Sequence, residues 1–165
     1  MLNKRPIIMD VDTGVDDTLA FLLVAAADSL DLKAITTVFG NCSVADTTQN
    51  TLKICELLNL DVPVAAGAYR PLIDPPIDYS VAPMVDIHGR DGLGNVGNKL
   101  PEPKKQAEAI TAVDLMAKVI KESDEKVTLV ATAPLTNIAT FLVSYPDLHD
   151  KIECIALMGG AAFGG

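Results

Sequence analysis

The sequence has few basic residues and few cysteines, and both shortages limit what the protein can be. Thirteen lysines and arginines stand against 22 aspartates and glutamates, which gives a formal net charge of −9. This charge disfavours binding to nucleic acid or to an anionic membrane, because basic surfaces supply that affinity. The three cysteines are odd in number and form no C-x-x-C pair, so neither a disulfide framework nor a zinc site is expected.

Long apolar runs are also missing. The longest run, LAFLLVAAA at residues 19–27, is about half the length of a membrane span and predicts a buried helix. The apolar residues before Asp10 are too few for the core of a secretory signal peptide. Together with the cysteine usage, these features predict a protein of a reducing compartment, the cytoplasm.

The chain is nevertheless rich in shorter apolar segments, which alternate between strand-like and helix-like patterns. With 165 residues and 49% apolar content, residues 1–165 are expected to form a single domain with a packed core. Strands are predicted at 6–11, 33–39, 62–67, 126–132 and 153–158. Helices are predicted at 15–29, 44–60, 107–122 and 134–145. The alternation, with continuously apolar strands, predicts an α/β fold with an open, mostly parallel sheet and helices on both faces.

Polar residues cluster where the predicted strands end. Four aspartates fall in the stretch IIMDVDTGVDDT at residues 7–18, Asn41 follows the second strand, and Thr132 closes the fourth. The carboxyl ends of parallel strands converge on the ligand crevice of an open sheet. One or two aspartates could serve only as caps of the first helix, but four indicate a site. Their mutual repulsion needs compensation, and oxygen ligands suit Ca²⁺ or Mg²⁺ better than zinc.

Three hypotheses compete for the function of this acidic cluster, and the first is a phosphatase. DVDT at residues 10–13 resembles the first motif of haloacid-dehalogenase-type phosphatases, which use Mg²⁺, with Asp10 as nucleophile and Asp12 as acid and base. Against it, Gly14 stands where that family usually has Thr or Val, and Asp16 and Asp17 stay unexplained. A non-catalytic α/β remnant is the third possibility.

A second resemblance accounts for more of the chain. DVDTGVDD at residues 10–17 resembles the N-terminal signature of the inosine–uridine-preferring nucleoside hydrolases, commonly D-x-D-P-G-x-D-D, with Thr13 in place of the proline. Further motifs of that family follow in order: ITTVFGN (35–41), IHGRDGLG (87–94), LVATAPLTNIA (129–139) and IALMGG (155–160). The resemblance implies an enzyme of nucleoside catabolism and salvage that hydrolyses the N-glycosidic bond of ribonucleosides to free base and ribose.

The resemblance also implies roles for individual residues. It gives Ca²⁺ as the cofactor, with three ligands: the Asp12 and Asp17 carboxylates and the Thr132 carbonyl. It implies that Asp12 is the general base that activates a Ca²⁺-bound water. It also implies that Asp10 lies behind the metal ligands and orients its neighbours. It assigns four residues to the ribonucleoside: Asp16, Asn41, His88 and Met158. For His88, which falls near the nucleobase in this assignment, a solvated loop position is the alternative.

The resemblance covers the N-terminal half of the family's chain. A ribose-binding segment and a further calcium-ligating aspartate are expected beyond residue 165. We therefore expect the 165-residue chain alone to be a poor hydrolase, and the full-length form to be a homo-oligomer that binds a small-molecule ribonucleoside. The motifs leave the preference for purine or pyrimidine bases open.

Overall fold

The apolar segments of the sequence form a five-stranded parallel sheet. In the computed structural model, which describes residues 4–73 and 84–160, the strand order is β3-β2-β1-β4-β5. The strands are β1 Arg5–Val11, β2 Leu30–Thr37, β3 Val64–Ala66, β4 Val127–Ala131 and β5 Ile152–Leu157. All neighbouring pairs in this sheet are parallel. The carboxyl ends of the strands therefore lie at one edge of the sheet. The order in which the chain adds strands to the sheet reverses at β1, which lies between β2 and β4.

Helices cover both faces of the sheet. They are α1 Val15–Ala26, α2 Val44–Leu58, α3 Val85–His88, α4 Ala112–Glu122 and α5 Thr136–Ser144, with 3₁₀ turns at Gly97–Lys99 and Pro146–Lys151. Successive side chains of β1 point to opposite faces. Met9 joins a buried cluster with Phe21 of α1, whereas Ile8 joins one with Met116 of α4 and Phe141 of α5. The predicted α/β class, with a parallel sheet between helical layers, is confirmed.

The third predicted helix, which is α4 of the structure, begins later than its sequence pattern indicated. It was expected from residue 107, but α4 begins at Ala112, because Thr111 caps it and its hydroxyl oxygen accepts the Asp114 N–H at 3.2 Å. Upstream, the Glu108 N–H donates to the Val64 carbonyl at 2.7 Å, so this backbone is tied to β3 instead of starting a helix. The helix-favouring alanines at 107 and 109 are thus overridden by a cap and a tertiary hydrogen bond.

Other boundaries differ by a few residues. The first helix, predicted to residue 29, ends at Ala26, and the second strand, predicted at 33–39, spans 30–37 because its pairing with β1 begins at Arg5 and Leu30. The segment between β3 and α4 contains α3 and one 3₁₀ turn, and its residues 74–83 lie outside the described ranges. No helix in the described ranges is long and apolar enough to cross a membrane.

Candidate active site

A cavity of about 420 Å³ opens at the carboxyl edge of the sheet. Six of the eight residues expected from the sequence line it: Asp12, Asp16, Asn41, His88, Thr132 and Met158. Asp10 and Asp17 do not line the cavity and contact its wall from behind. Ligands of open α/β sheets bind in this position, where the order of the strands reverses. The fold therefore brings the expected residues to one place from five separate segments of the chain.

Larger cavities of about 600 Å³ exist elsewhere, and one opens near the amino ends of the strands. The charged residues that line it, such as Lys4, Lys33 and Glu122, are exposed to solvent. Solvated charges of this kind are ordinary surface features. The chemistry of the lining, not the volume, therefore identifies the smaller cavity as the candidate site.

Asp12 is held in place by the residue that follows the second strand. The Asn41 backbone N–H donates to Asp12 Oδ2 at 2.9 Å, and the Asn41 side-chain amide donates to the Asp12 carbonyl at 3.2 Å. Between the two strand ends, Gly40 leaves room for this contact, since a Cβ there would lie 1.9 Å from Asp12 Oδ2. The sequence FGN after β2 thus fixes the orientation of the Asp12 carboxylate.

Asp17 joins the start of α1 to the end of β4. Its Oδ2 accepts the Gly14 backbone N–H at 3.0 Å, and its Oδ1 accepts the Thr132 hydroxyl at 2.7 Å. The Thr132 backbone N–H in turn donates to the Asp10 carbonyl at 3.1 Å. Both Asp17 oxygens thus accept hydrogen bonds, which hold the carboxylate in one orientation behind the cavity wall.

Asp10 lies deeper, beneath the cavity. Its Oδ1 accepts two hydrogen bonds, from the Thr36 hydroxyl at 2.6 Å and from the Asn137 side-chain amide at 2.8 Å. Its Oδ2 is buried without a hydrogen-bond partner. Sequence reasoning missed both Thr36 and Asn137. Asn137 lies within the motif LVATAPLTNIA, and a signal was available, because a polar residue that begins a helix just after a strand faces the carboxyl edge of the sheet.

Burial and crowding change the acidity of these carboxylates. Burial raises the pKa of Asp10 to about 7, although the hydrogen bonds from Asn137 and Thr36 oppose the shift. Burial and the charge of Asp17 together raise the pKa of Asp12 to about 7. Burial also raises the pKa of Asp17, against the hydrogen bonds from Thr132 and Gly14. The cluster is therefore strained when all three groups are ionised and no positive charge is present.

The donor chemistry of the cluster fits a hard cation. Asp12 and Asp17 are buried carboxylates that repel each other, and Thr132, at the end of β4, contacts Asp17 through its hydroxyl group. Within the described ranges, no three His, Cys, Asp or Glu side chains are arranged to hold a metal ion by themselves. The residues present thus supply an all-oxygen set with two carboxylates, which suits Ca²⁺ or Mg²⁺ and disfavours a thiolate-type or imidazole-type zinc site.

His88 is buried, with 6% of its surface exposed, so the alternative of a solvated loop residue was wrong. Its Nδ1 accepts the Val15 backbone N–H at 3.3 Å and lies 3.8 Å from an oxygen of Asp16. The Asp16 side chain is 63% exposed and borders the cavity. An Nδ1 that accepts a hydrogen bond leaves the proton of a neutral imidazole on Nε2. The ring can therefore donate one hydrogen bond from that nitrogen.

The turn after His88 is fixed by Asp91. Burial raises the pKa of this carboxyl group, but the backbone N–H groups of Gly97, Leu93 and Asn95 donate to it and lower the pKa overall. Asn50 of α2 then donates to the Asp91 carbonyl at 2.8 Å and so ties the turn to the helix. This network holds α3, and with it His88, against the cavity.

The raised pKa values predict how the stability of the metal-free protein depends on pH. Asp10 and Asp12 have folded-state pKa values of about 7, above the unfolded value of 3.8, and the pKa of Asp17 is raised as well. The folded state therefore binds more protons than the unfolded state between these values, and the free energy of unfolding falls as pH rises from about 4 to about 7. Urea unfolding in the presence of a chelator should give a larger free energy of unfolding at pH 5 than at pH 8, with a difference on the order of several kcal/mol. Stability that is constant or rises across this range would contradict the assignment, and Asp10→Asn should flatten the curve in part.

The fold and the site together define an α/β protein of the Rossmann-like class, with an acidic ligand cavity at the point where the strand order reverses. The chain belongs to the inosine-uridine preferring nucleoside hydrolase family, whose model matches residues 7–165. The resemblance identified from the motifs is thereby confirmed, and the phosphatase hypothesis is left without support.

Known relatives match nearly the whole chain. The pyrimidine-specific ribonucleoside hydrolase RihA of Enterobacter sp. (strain 638) is 48% identical over 157 residues, which are 94% of this chain and 48% of the relative. RihA of Shewanella sp. (strain MR-7) is also 48% identical, over 160 residues, 96% of this chain and 48% of the relative. The chain thus spans about half the length of the curated relatives it matches.

Solved structures agree with this placement. The purine-preferring ribonucleoside hydrolase from Gardnerella vaginalis superposes with a TM-score of 0.87 at 34% identity, covering 95% of this chain and 49% of that one. A plant nucleoside hydrolase superposes with a TM-score of 0.83 at 30% identity, covering 95% and 48%. The arrangement of strands and helices described above is therefore shared with solved nucleoside hydrolases, one of which is named as purine-preferring.

Proposed function

We propose that the protein hydrolyses the N-glycosidic bond of ribonucleosides and releases the free base and ribose. The observation that carries the proposal is the cavity at the carboxyl edge, where Asp12, Asp16, Asn41 and His88 meet. The family membership and the names of the relatives support the same reaction. Asp10 lies beneath the cavity and is not exposed to a ligand, which gives no support to its use as a nucleophile.

Asp12 is suited to act as the general base. In the metal-free protein, burial and the charge of Asp17 raise the pKa of Asp12 to about 7, and its carboxylate lines the cavity in which a water molecule would attack. The Asn41 N–H fixes its orientation toward the cavity. In the proposed reaction, the Asp12 carboxylate takes a proton from the water molecule that attacks the anomeric carbon. The surrounding carboxylates stabilise the positive charge that develops on the ribosyl group as the base departs.

The ribose and the nucleobase would be held by separate parts of the cavity. Asp16 has an exposed carboxylate and Asn41 a side-chain amide at the cavity wall, and both suit hydrogen bonds with ribose hydroxyl groups. Met158, at the end of β5, lines the same wall. His88 stands beside Asp16, where its Nε2–H can donate to the departing base.

We also propose Ca²⁺ as the cofactor, held by the Asp12 and Asp17 carboxylates and the Thr132 carbonyl. When bound, the ion supplies the positive charge that offsets the repulsion between the carboxylates and increases the acidity of a water molecule. The buried, mutually repelling Asp12 and Asp17 support this assignment, because they are unfavourable without a cation. Their hydrogen bonds to Asn41, Gly14 and Thr132 hold them in place before the ion arrives.

The preferred base is proposed to be a pyrimidine, because the curated relatives at 46–48% identity are named as pyrimidine-specific. The three cysteines, all free in the structure, support a reducing compartment such as the cytoplasm. We further propose that the functional form is a homo-oligomer, an expectation that rests on the family alone.

A panel of substrates tests the proposed function. With calcium present, the purified protein, in a form as long as the relatives it matches, should release base from uridine and cytidine faster than from inosine and guanosine, and a chelator should stop the release. Production of reducing sugar reports ribose, and p-nitrophenyl phosphate serves as the control for phosphatase activity. Faster hydrolysis of inosine would overturn the pyrimidine preference, and phosphate release without base release would overturn the proposed function.

A further inference from the structure

One buried side chain joins three strands beneath the candidate site. Asn137, the second residue of α5, is 1% exposed. Its amide nitrogen donates to Asp10 Oδ1 at 2.8 Å and to the Thr37 carbonyl at 2.9 Å, and its carbonyl oxygen accepts the Ala68 N–H at 2.9 Å. Both donor hydrogens and the acceptor are therefore used, which is the full set of partners that a buried carboxamide needs.

These three partners end three different strands. Asp10 belongs to β1, Thr37 is the last residue of β2, and Ala68 lies just beyond β3. The chain also makes room for the amide at Gly67, where a Cβ would lie 2.2 Å from the Asn137 side-chain oxygen. A single side chain of α5 thus fixes the relative positions of the strand ends on which the cavity is built.

Two short connections lead from Asn137 to the residues of the cavity. Through Asp10, whose carbonyl accepts the Thr132 N–H, it reaches Thr132 and then the carboxylate of Asp17. Through Thr37, it reaches the backbone that leads to Gly40 and Asn41, which hold Asp12. Asn137 itself does not line the cavity. Its effect on a ligand must therefore be indirect.

We infer that Asn137 is a positioning residue: its carboxamide fixes the ends of β1 and β2 so that Asp12 and Thr132 keep their places at the cavity. The inference rests on the proposed hydrolase function and adds to it a residue that does not touch the substrate. A shift of about 1 Å in a reacting group can cost two orders of magnitude in rate. The binding of substrate in the ground state should change little, because the cavity wall keeps its own side chains.

The test compares three variants of this hydrogen-bond network with a destabilised control. Asn137→Asp keeps the shape but replaces the amide donor with an oxygen that faces Asp10 Oδ1 and the Thr37 carbonyl. Asn137→Ala removes all three hydrogen bonds. Thr36→Val removes the second donor to Asp10 Oδ1 without touching Thr37 or Ala68. The control is Ile120→Ala, which opens a cavity in the core packed by α4 and leaves the carboxyl edge intact.

Steady-state kinetics with uridine and thermal unfolding are measured for each folded variant. The expected result is a loss of roughly 10- to 100-fold in kcat for both Asn137 variants, with KM changed less than about threefold. Thr36→Val should show a smaller loss of kcat, and Ile120→Ala should lower Tm without changing kcat. If Asn137→Asp and Asn137→Ala lower Tm but keep the wild-type kcat, the residue is only a scaffold and the inference is wrong.

Other outcomes are also decisive. If neither Asn137 variant folds, Thr36→Val decides, and a wild-type kcat in that variant overturns the inference. If the wild-type protein hydrolyses nucleosides and the Asn137 variants keep its kcat, the inference is overturned but the proposed function is not. If a wild-type form as long as the relatives does not hydrolyse nucleosides, the proposed function is overturned, and this inference with it.

Discussion

Replacing Asp12 with asparagine is expected to lower kcat for the proposed nucleoside hydrolysis by about a thousandfold or more, because the change removes the proposed general base and a proposed charged ligand of the cation together. The fold should persist. An asparagine oxygen at this position can still accept the Asn41 N–H that now binds Asp12 Oδ2 at 2.9 Å, and Gly40 still leaves space for it. The effect should fall mainly on kcat, since the lost interactions act in the transition state.

The measurement is steady-state hydrolysis of uridine at saturating calcium, with circular dichroism to confirm the fold. Asp124→Asn is the matched control. It makes the same chemical change at an exposed aspartate near the amino end of β4, and it should leave kcat unchanged. Near-normal turnover by the Asp12 variant would remove this residue from the mechanism and leave the buried carboxylates without a catalytic role.

Replacing Asp17 with asparagine should have two opposite effects. Calcium affinity is expected to fall by about a hundredfold, because the proposed cation would lose one of the two charged ligands proposed for it in the described part of the chain. The metal-free protein should become more stable at pH 8, because burial disfavours this charge and the charge also repels Asp12. The hydrogen bonds can survive, since an asparagine oxygen can accept the Gly14 N–H and its amide can donate to the Thr132 hydroxyl oxygen.

Isothermal titration calorimetry with calcium and urea unfolding in a chelator measure the two effects separately. Asp124→Asn again serves as the control and should change neither. A variant that binds calcium like the wild type would exclude Asp17 as a ligand. A metal-free variant that is less stable than the wild type at pH 8 would show that the hydrogen bonds of Asp17 outweigh the repulsion and the burial of its charge.

The acidic cluster shows why a site that looks unfavourable in isolation is built this way. Asp10, Asp12 and Asp17 are all disfavoured as anions by burial, yet neutral donors hold each of them in a fixed orientation. Such preorganisation would make the cluster ready for positive charge, whether from the proposed cation or from the ribosyl group of the proposed reaction. The unpartnered oxygen of Asp10 shows that the hydrogen-bond network alone does not satisfy the cluster.

The sequence by itself determined the class of fold, the family and the location of the acidic site. Continuous apolar strands alternating with amphipathic segments permit few arrangements other than a parallel α/β sheet, and such a sheet brings residues at strand ends to one edge. That geometry placed Asp12, Asn41 and Thr132 together before any coordinates were known. Local patterns also predicted every strand of the sheet, with errors of a few residues at the boundaries.

Tertiary structure alone decided the contacts that hold these residues in place. Nothing local to Asn137 shows that its amide reaches Asp10 across 127 residues of sequence, or that Thr132 donates to Asp17 across 115. The start of α4 and the burial of His88 were likewise set by contacts from distant segments, through Val64 for the backbone upstream of α4 and through Val15 for His88. The physical reason is that periodicity records which face of an element is apolar. The partner of a buried polar group depends on how the elements pack, because an unpaired donor or acceptor is costly and takes whichever partner the fold brings near.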